Sequence, residues 1–325
     1  MHHGRISRAT AKALKEVKKR IRSADIPSSR LDETINVATW NIREFGRKRR
    51  RIMSLHLIAE IIGQFDLVAI TELRDNLSDL RKVLTFLGPY WDVVYSDFNI
   101  DRAGNRERIA YVFDRRAVTF TGLAAEADPV RKKRTVEVDG EMVKEYVPIV
   151  TWWRSPFMAS FRSGDFDFIA VAAHIRWDTS GGDESRERGL KLLAKWVGKR
   201  AREKYVSDKD IIVMGDFNIP TVDDDLFNAI TSTGLRVPKS LRGPVETNLA
   251  RDKRYDQILH FPRITKSFTD NGGVLDYYAG NYSRLMPGIR MSKRDFTYQL
   301  SDHLPLWVQL DVDTDNERLD SILKA

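Results

Sequence analysis

Phe65-Asp-Leu-Val-Ala-Ile-Thr71 runs directly into Glu72, and this stretch decides how the rest of the chain is read. A nearly continuous apolar run of this length fits a strand buried on both faces. A charged carboxylate at the mouth of such a strand is costly unless it is paired or holds a cation. Moving outward in both directions, the same pattern recurs. Val37-Ala-Thr-Trp-Asn41-Ile-Arg43, Ala172-Ala-His174 and Val213-Met-Gly-Asp216-Phe-Asn218 each set polar residues at the end of an apolar segment. Ser301-Asp302-His303-Leu-Pro305 and Arg106-Glu107-Arg108 lead into further apolar segments. One such motif means little. Together they supply oxygen ligands, two histidines and several arginines, an inventory that suits chemistry on a phosphate.

Glu72, Asp216 and Asp302, with the amides of Asn41 and Asn218, are hard oxygen donors of the kind preferred by Mg²⁺ or Mn²⁺. Zinc would favour cysteine and clustered histidine. His174 and His303 gain meaning only beside an acid, because a carboxylate fixes the ring tautomer and stabilises its cation. Asp256 and Glu107 are the candidates for that role.

The 325 residues, 42% of them hydrophobic, suffice for one large domain with a substantial core. Cysteine is absent, which fits a reducing, cytoplasmic setting. No apolar run is long enough to span a membrane. The net charge of +8 is unevenly spread: residues 1–30 carry nine basic and two acidic residues, whereas the other 295 carry 45 and 44. We therefore divide the chain into a basic helical leader at 1–30, a catalytic body at 31–315 and a C-terminal tail at 316–325. The leader either attracts a polyanion or is a solvated helix. Its Leu14, Val17 and Ile21 form a narrow apolar stripe that can lie on the body.

Strands are predicted at 35–39, 65–71, 91–96 and 108–114, with 118–123 continuing that meander. Further strands are expected at 157–161, 166–173, 210–214, 255–260 and 304–312. Helices are expected at 49–63, 77–87, 186–205 and 226–232. Residues 131–147 read as a charged hairpin, because Asp139-Gly140 sits between alternating residues. Residues 271–300, rich in Gly and Tyr, read as irregular. Two strand-rich halves, each with helices, predict two face-packed sheets with helices outside them.

On these motifs the chain resembles the endonuclease/exonuclease/phosphatase superfamily, and within it the deoxyribonuclease I branch, over about 34–312. Ala38-Thr-Trp-Asn41-Ile-Arg43-Glu-Phe45-Gly46, Glu72-Leu-Arg74-Asp75, Gly215-Asp216-Phe217-Asn218 and Ser301-Asp302-His303 carry the likeness. The resemblance implies an α/β, four-layer sandwich of two packed, mostly antiparallel sheets flanked by helices. It implies that Glu72, Asn41 and Asp302 hold the metal, and that Asp216 and Asn218 orient water and phosphate. It pairs His303 with Asp256 and His174 with Glu107. It assigns phosphate or nucleic-acid contacts to Arg43, Arg74 and Arg154, and likens Thr247-Asn248 to the polar pair before Asp256.

The expected function is a Mg²⁺-dependent DNA endonuclease or nickase, with nucleic acid as partner and no membrane. The alternative is a phosphatase or phosphodiesterase acting on an inositol, lipid or nucleotide phosphate, since one fold hosts all of these. A non-catalytic binder is disfavoured because every motif residue is present. Some features depart from the branch. Asn105 stands where the branch places a groove-inserting tyrosine, and no disulfide or calcium loop is visible. The segments 131–147 and 276–282 look like insertions, and are either nucleic-acid surface or ordinary solvated structure. The basic run Arg47–Arg51 should lie near the catalytic mouth or simply face water.

Overall fold

The computed structural model describes residues 1–98, 106–128, 131–148, 152, 154–177, 186–315, 319 and 322–323. Asn105 and most of the 316–325 tail lie outside them. In the amino-terminal half, α1 (Arg8–Ser23) precedes β1 (Thr34–Phe45), α2 (Ile52–Ile62), β2 (Leu67–Leu73) and α3 (Ser78–Leu87). Next come β3 (Trp91–Tyr95), β4 (Arg108–Asp114), β5 (Thr119–Glu126), β6 (Arg131–Val138) and β7 (Glu141–Pro148). The second half contains β8 (Phe157–Ser163), β9 (Phe166–His174), α4 (Arg186–Arg200), β10 (Ile211–Asp216) and α5 (Asp225–Thr231). It closes with β11 (Asp256–Leu259), β12 (Phe268–Val274), α6 (Lys293–Gln299) and β13 (Leu306–Asp311).

Two large sheets form, ordered β12-β13-β1-β2-β4-β3 and β11-β10-β9-β8-β5, beside a two-stranded ribbon β6-β7. Only the β1–β2 and β9–β10 pairs are parallel; the remaining neighbours are antiparallel. The two-residue period of a strand sorts β2 between two cores. Leu67 and Ala69 face the other sheet and, with Tyr111 of neighbouring β4, share a core with Phe168, Ile212 and Met214. Val68 and Ile70 face outward onto Leu57 and Ile61 of α2. Val171 and Val213 do the same for α4 and α5, against Leu193, Val197 and Ile230. The result is the expected four-layer sandwich of two mixed sheets between helices. Among the described residues no helix is long and apolar enough to cross a membrane.

The leader stripe is buried: Ala13, Leu14, Val17 and Ile21 of α1 join the core over the first sheet. Arg20 donates to Tyr277 O at 2.9 Å and to Asn281 O at 2.8 Å, which ties α1 to a segment more than 250 residues away.

Two sequence expectations are corrected. The strand after β4 does not continue the meander. β5 crosses to the second sheet and pairs antiparallel with β8, so the chain changes sheets at the turn that places Val118 between them. The 271–300 stretch is not irregular throughout. It completes β12, makes a short 3₁₀ turn at Tyr282–Leu285 and forms α6, capped by Ser292, whose hydroxyl accepts from Asp295 N at 3.1 Å. Glycine permits the strand there, because a Cβ on Gly272 would lie 2.6 Å from Ser240 Oγ.

Candidate functional site

The parallel pairs carry the site. Asn41 pairs with Thr71 in the β1–β2 register, which brings Asn41 beside Glu72. Asp216 pairs with His174 on one side and with Asp256 on the other. Register thus sets five functional side chains at strand ends, Asn41 and Glu72 in the first sheet and His174, Asp216 and Asp256 in the second. The β10 end needs glycine. Gly215 has φ of +133°, and a Cβ there would lie 2.0 Å from Ala173 O. Gly215→Ala is therefore expected to cost at least about 2 kcal/mol of stability and to unseat Asp216. An unaltered urea unfolding midpoint would refute this account of the turn.

The two sheets meet at one amide. Asn41 Nδ2 donates to Glu72 Oε1 at 3.0 Å and to Asp216 Oδ2 at 2.9 Å. Asn41 Oδ1 is buried with no hydrogen-bond partner. A buried, unpaired carbonyl oxygen beside two carboxylates is the donor set that a hard divalent cation requires. Glu72 is fixed by Glu44 N, which donates to its Oε2 at 2.8 Å. Both residues occupy left-handed backbone, with φ of +51° at Glu44 and +61° at Glu72. Such conformations are strained for non-glycine residues and cluster at functional sites.

Two histidine–acid pairs flank Asp216. His174 Nδ1 lies 2.9 Å from Glu107 Oε2, and His303 Nδ1 lies 2.8 Å from Asp256 Oδ2. Their other ring nitrogens face the same atom, Asp216 Oδ2, at 3.6 and 3.7 Å. Ligand atoms of Asp216, Asp256 and His303 all lie within 4.8 Å of one another.

Charge in this cluster follows the geometry. Burial opposes a cation on His303, but Asp256, Asp216 and Asp302 outweigh it and hold its pKa well above the usual imidazole value. Burial by itself lifts the Asp256 carboxyl. The pair resolves in favour of an imidazolium, because carboxylates face both of its nitrogens. Burial also opposes the Asp216 anion, and His303, His174 and the Asn41 amide reverse it, leaving that pKa below the ordinary value. Glu107 is buried too, yet His174, Arg154 and Arg74 bring it down to about 2.

The remaining predicted residues are distributed as follows. Arg154 Nε sits 2.7 Å and Arg74 Nη2 3.3 Å from Glu107, so both arginines line the His174 side. Asn218 N donates to Asp216 Oδ1 at 3.0 Å, and its amide donates to Ile175 O at 2.7 Å. Asp302 joins the mouth through Ser301, whose hydroxyl donates to Asn41 O at 2.6 Å. The Asp302 carboxylate is turned to Arg43 at 3.2 Å, not to Glu72. Arg43 also lies 4.1 Å over the Tyr298 ring of α6. Thr247 Oγ1 accepts from Asp256 N at 3.2 Å, whereas the Asn248 side chain is spent on its own loop, bonding Asp252 and Lys253.

Sequence reasoning missed two residues. Glu44 positions Glu72 and pairs with Arg74 at 2.6 Å. Arg50, one of the basic run expected near the mouth or in water, is buried at 4% exposure. It donates to Arg43 O at 2.5 Å and to Glu44 O at 3.4 Å, bracing the strained turn. Burial lowers its pKa to about 10 despite Asp79 and Glu72. The one signal in the sequence was its place just before an apolar helix face. Arg47, Lys48, Arg49 and Arg51 remain exposed.

A profile of the endonuclease/exonuclease/phosphatase family matches residues 38–303. No curated protein sequence matches the chain. Solved structures share the fold at low identity. The human Nocturnin catalytic domain, solved with a bound sulfate anion, superimposes with a TM-score of 0.54 at 14% identity, covering 85% of this chain and 93% of its own. A Bacteroides thetaiotaomicron mannosyl-6-phosphatase gives 0.50 at 16% identity, covering 84% and 98%. A humanised Danio rerio TDP2 gives 0.53 at 13% identity, covering 85% and 98%.

Proposed function

Because the chain belongs to the endonuclease/exonuclease/phosphatase family, we propose that it hydrolyses phosphodiesters with a divalent cation, most specifically as a DNA endonuclease or nickase. The observation that carries this reading is the single oxygen, Asp216 Oδ2, shared by Asn41 and faced by both histidines. That arrangement places a proton acceptor and two proton carriers around one small volume, beside the oxygens of Asn41 and Glu72.

Mg²⁺, or Mn²⁺, held by Glu72 and the free oxygen of Asn41 with Asp302 nearby, would polarise the phosphoryl oxygen and offset charge on the leaving oxygen. The protein's own groups do the rest. Asp216 accepts a proton from the attacking water, and Asn218 N keeps that carboxylate aimed. His303, cationic beside Asp256, donates to a phosphoryl oxygen. His174, its Nδ1 held by Glu107, presents Nε2 to the opposite side of the phosphate. Arg154 and Arg74 keep Glu107 ionised, and so keep His174 in one orientation. The exposed cations Arg47, Lys48, Arg49 and Arg51 beside the mouth favour a polyanion over an isolated phosphomonoester.

A supercoiled-plasmid assay with and without EDTA tests the reading. Conversion to open circles with Mg²⁺ and none with EDTA is expected. Orthophosphate or headgroup release without any nicking would replace it by the inositol, lipid or nucleotide phosphatase alternative.

A further inference from the structure

The hairpin β6–β7 forms a sheet of its own, pairing with no other strand among the described residues. Its Asp139-Gly140 turn has φ of +52° and +82°, as a tight two-residue hairpin turn requires. Thirteen of its sixteen strand residues are exposed, and the three half-buried ones are Val136, Val143 and Val147. A two-stranded ribbon alone in water is marginally stable, so a ribbon this exposed needs a reason to be kept.

Register sorts its side chains onto two unlike faces. Val136 pairs with Val143, Lys132 with Val147 and Arg134 with Glu145, so one face carries a valine stripe and balanced charge. The other face holds Arg131, Lys133, Thr135 and Glu137 opposite Pro148, Tyr146, Lys144 and Met142. It has three cations and one carboxylate, and among the described residues Arg131 alone of these cations has an ion pair, with Asp128 at 2.6 Å. Lys133 lies 5.9 Å from the Tyr146 ring centre, and Tyr146 is 68% exposed. Lysines that merely protect sheet edges from aggregation would not need to favour one face.

The chain path roots the ribbon near the catalytic mouth. Just before the ribbon, Ala127 N donates to Pro156 O at 2.8 Å. Two residues from Pro156, Arg154 contacts Glu107 of the site. The ribbon root is therefore anchored beside the Glu107–Arg154 side of the site.

We propose that β6–β7 is a duplex-binding arm, whose Lys133, Lys144 and Tyr146 face contacts the phosphates of B-form DNA flanking the cut site. This rests on the nuclease reading above. The major groove of B-DNA, about 12 Å wide, admits a two-stranded ribbon. Eight residues per strand span about 27 Å, or about eight base pairs.

The test measures anisotropy-detected binding of a 20-base-pair duplex between 50 and 200 mM salt, for the full chain and two charge-reversed variants. Lys133→Glu/Lys144→Glu is expected to weaken binding at least tenfold and to flatten the log–log salt slope by about 2, near 0.9 for each lost phosphate contact. Lys132→Glu/Arg134→Glu, of equal charge change on the valine face, should flatten it by less than half as much. Equal slopes in the two variants, or no change in either, would overturn the arm. Plasmid nicking by the unaltered chain separates the two ideas. Nicking with unchanged slopes removes the arm and leaves the nuclease, whereas absence of nicking removes the nuclease reading and the arm with it.

Discussion

Asp216→Asn is expected to lower kcat by about 10²–10⁴-fold, the range for a lost acid–base group, with little change in fold. The carboxylate is 2% exposed and accepts from Asn41 Nδ2 and Asn218 N. An amide of equal size keeps the packing but offers one acceptor to two donors, so one donor loses its partner, at a cost of about 1–3 kcal/mol. What disappears is the anion faced by both imidazoles. Asp216 is one of the carboxylates that raise the His303 pKa, so neutralising it must move that pKa down while Asp256 remains. Imidazole NMR titration reads this independently of turnover. A variant retaining a tenth or more of wild-type kcat, with an unmoved His303 titration, would show that the shared oxygen is not the centre of the chemistry.

Glu72→Gln comes second in expected size. Glu72 receives two donors, the Asn41 amide at Oε1 and Glu44 N at Oε2. A glutamine has one carbonyl oxygen, so one donor loses its partner, at a cost of about 1–3 kcal/mol. The larger loss concerns the cation, because an anionic oxygen becomes a neutral one next to the unpaired Asn41 Oδ1. We expect Mg²⁺ affinity, read by calorimetry, to fall at least about tenfold, with nicking restored only in part by excess metal. Calorimetric binding equal to that of the unaltered chain would move the metal site away from Glu72. Asp302 is the less sensitive partner, since its carboxylate already answers to Arg43 at 3.2 Å.

Much of this site was legible before any coordinates. Glu72, His174 and Asp216 announce themselves because an apolar strand that ends on a charged or titratable side chain breaks the pattern that burial imposes. The hairpin at 131–147 was legible from Asp139-Gly140, since few other pairs tolerate two successive positive φ angles. Arg50 was barely legible, from its place before an apolar helix face alone. Five consecutive basic residues look alike in a string, and only the turn at Arg43–Glu44, with two carbonyls to satisfy, selects one of them for burial. β5 was misread for a related reason. Alternation identifies a strand but does not say which of two sheets offers the free edge. The 271–300 segment hid a strand and a helix behind its glycines, of which Gly272 serves close packing and Gly280 and Gly288 serve turns at positive φ.

The sequence by itself determined which residues lie at strand ends, which helix faces are apolar, and that hard oxygens and histidines are available in one chain. These are properties of short windows, where a period of 2 or 3.6 residues and the cost of burying charge act locally. Only the tertiary structure decided that Asn41 bridges Glu72 and Asp216, that two imidazoles from distant strands face one oxygen, and that Asp302 answers to Arg43. Those outcomes depend on contacts between residues up to 260 positions apart and on competition among neighbouring charges for the same partner. Neither is written in any single stretch of the chain.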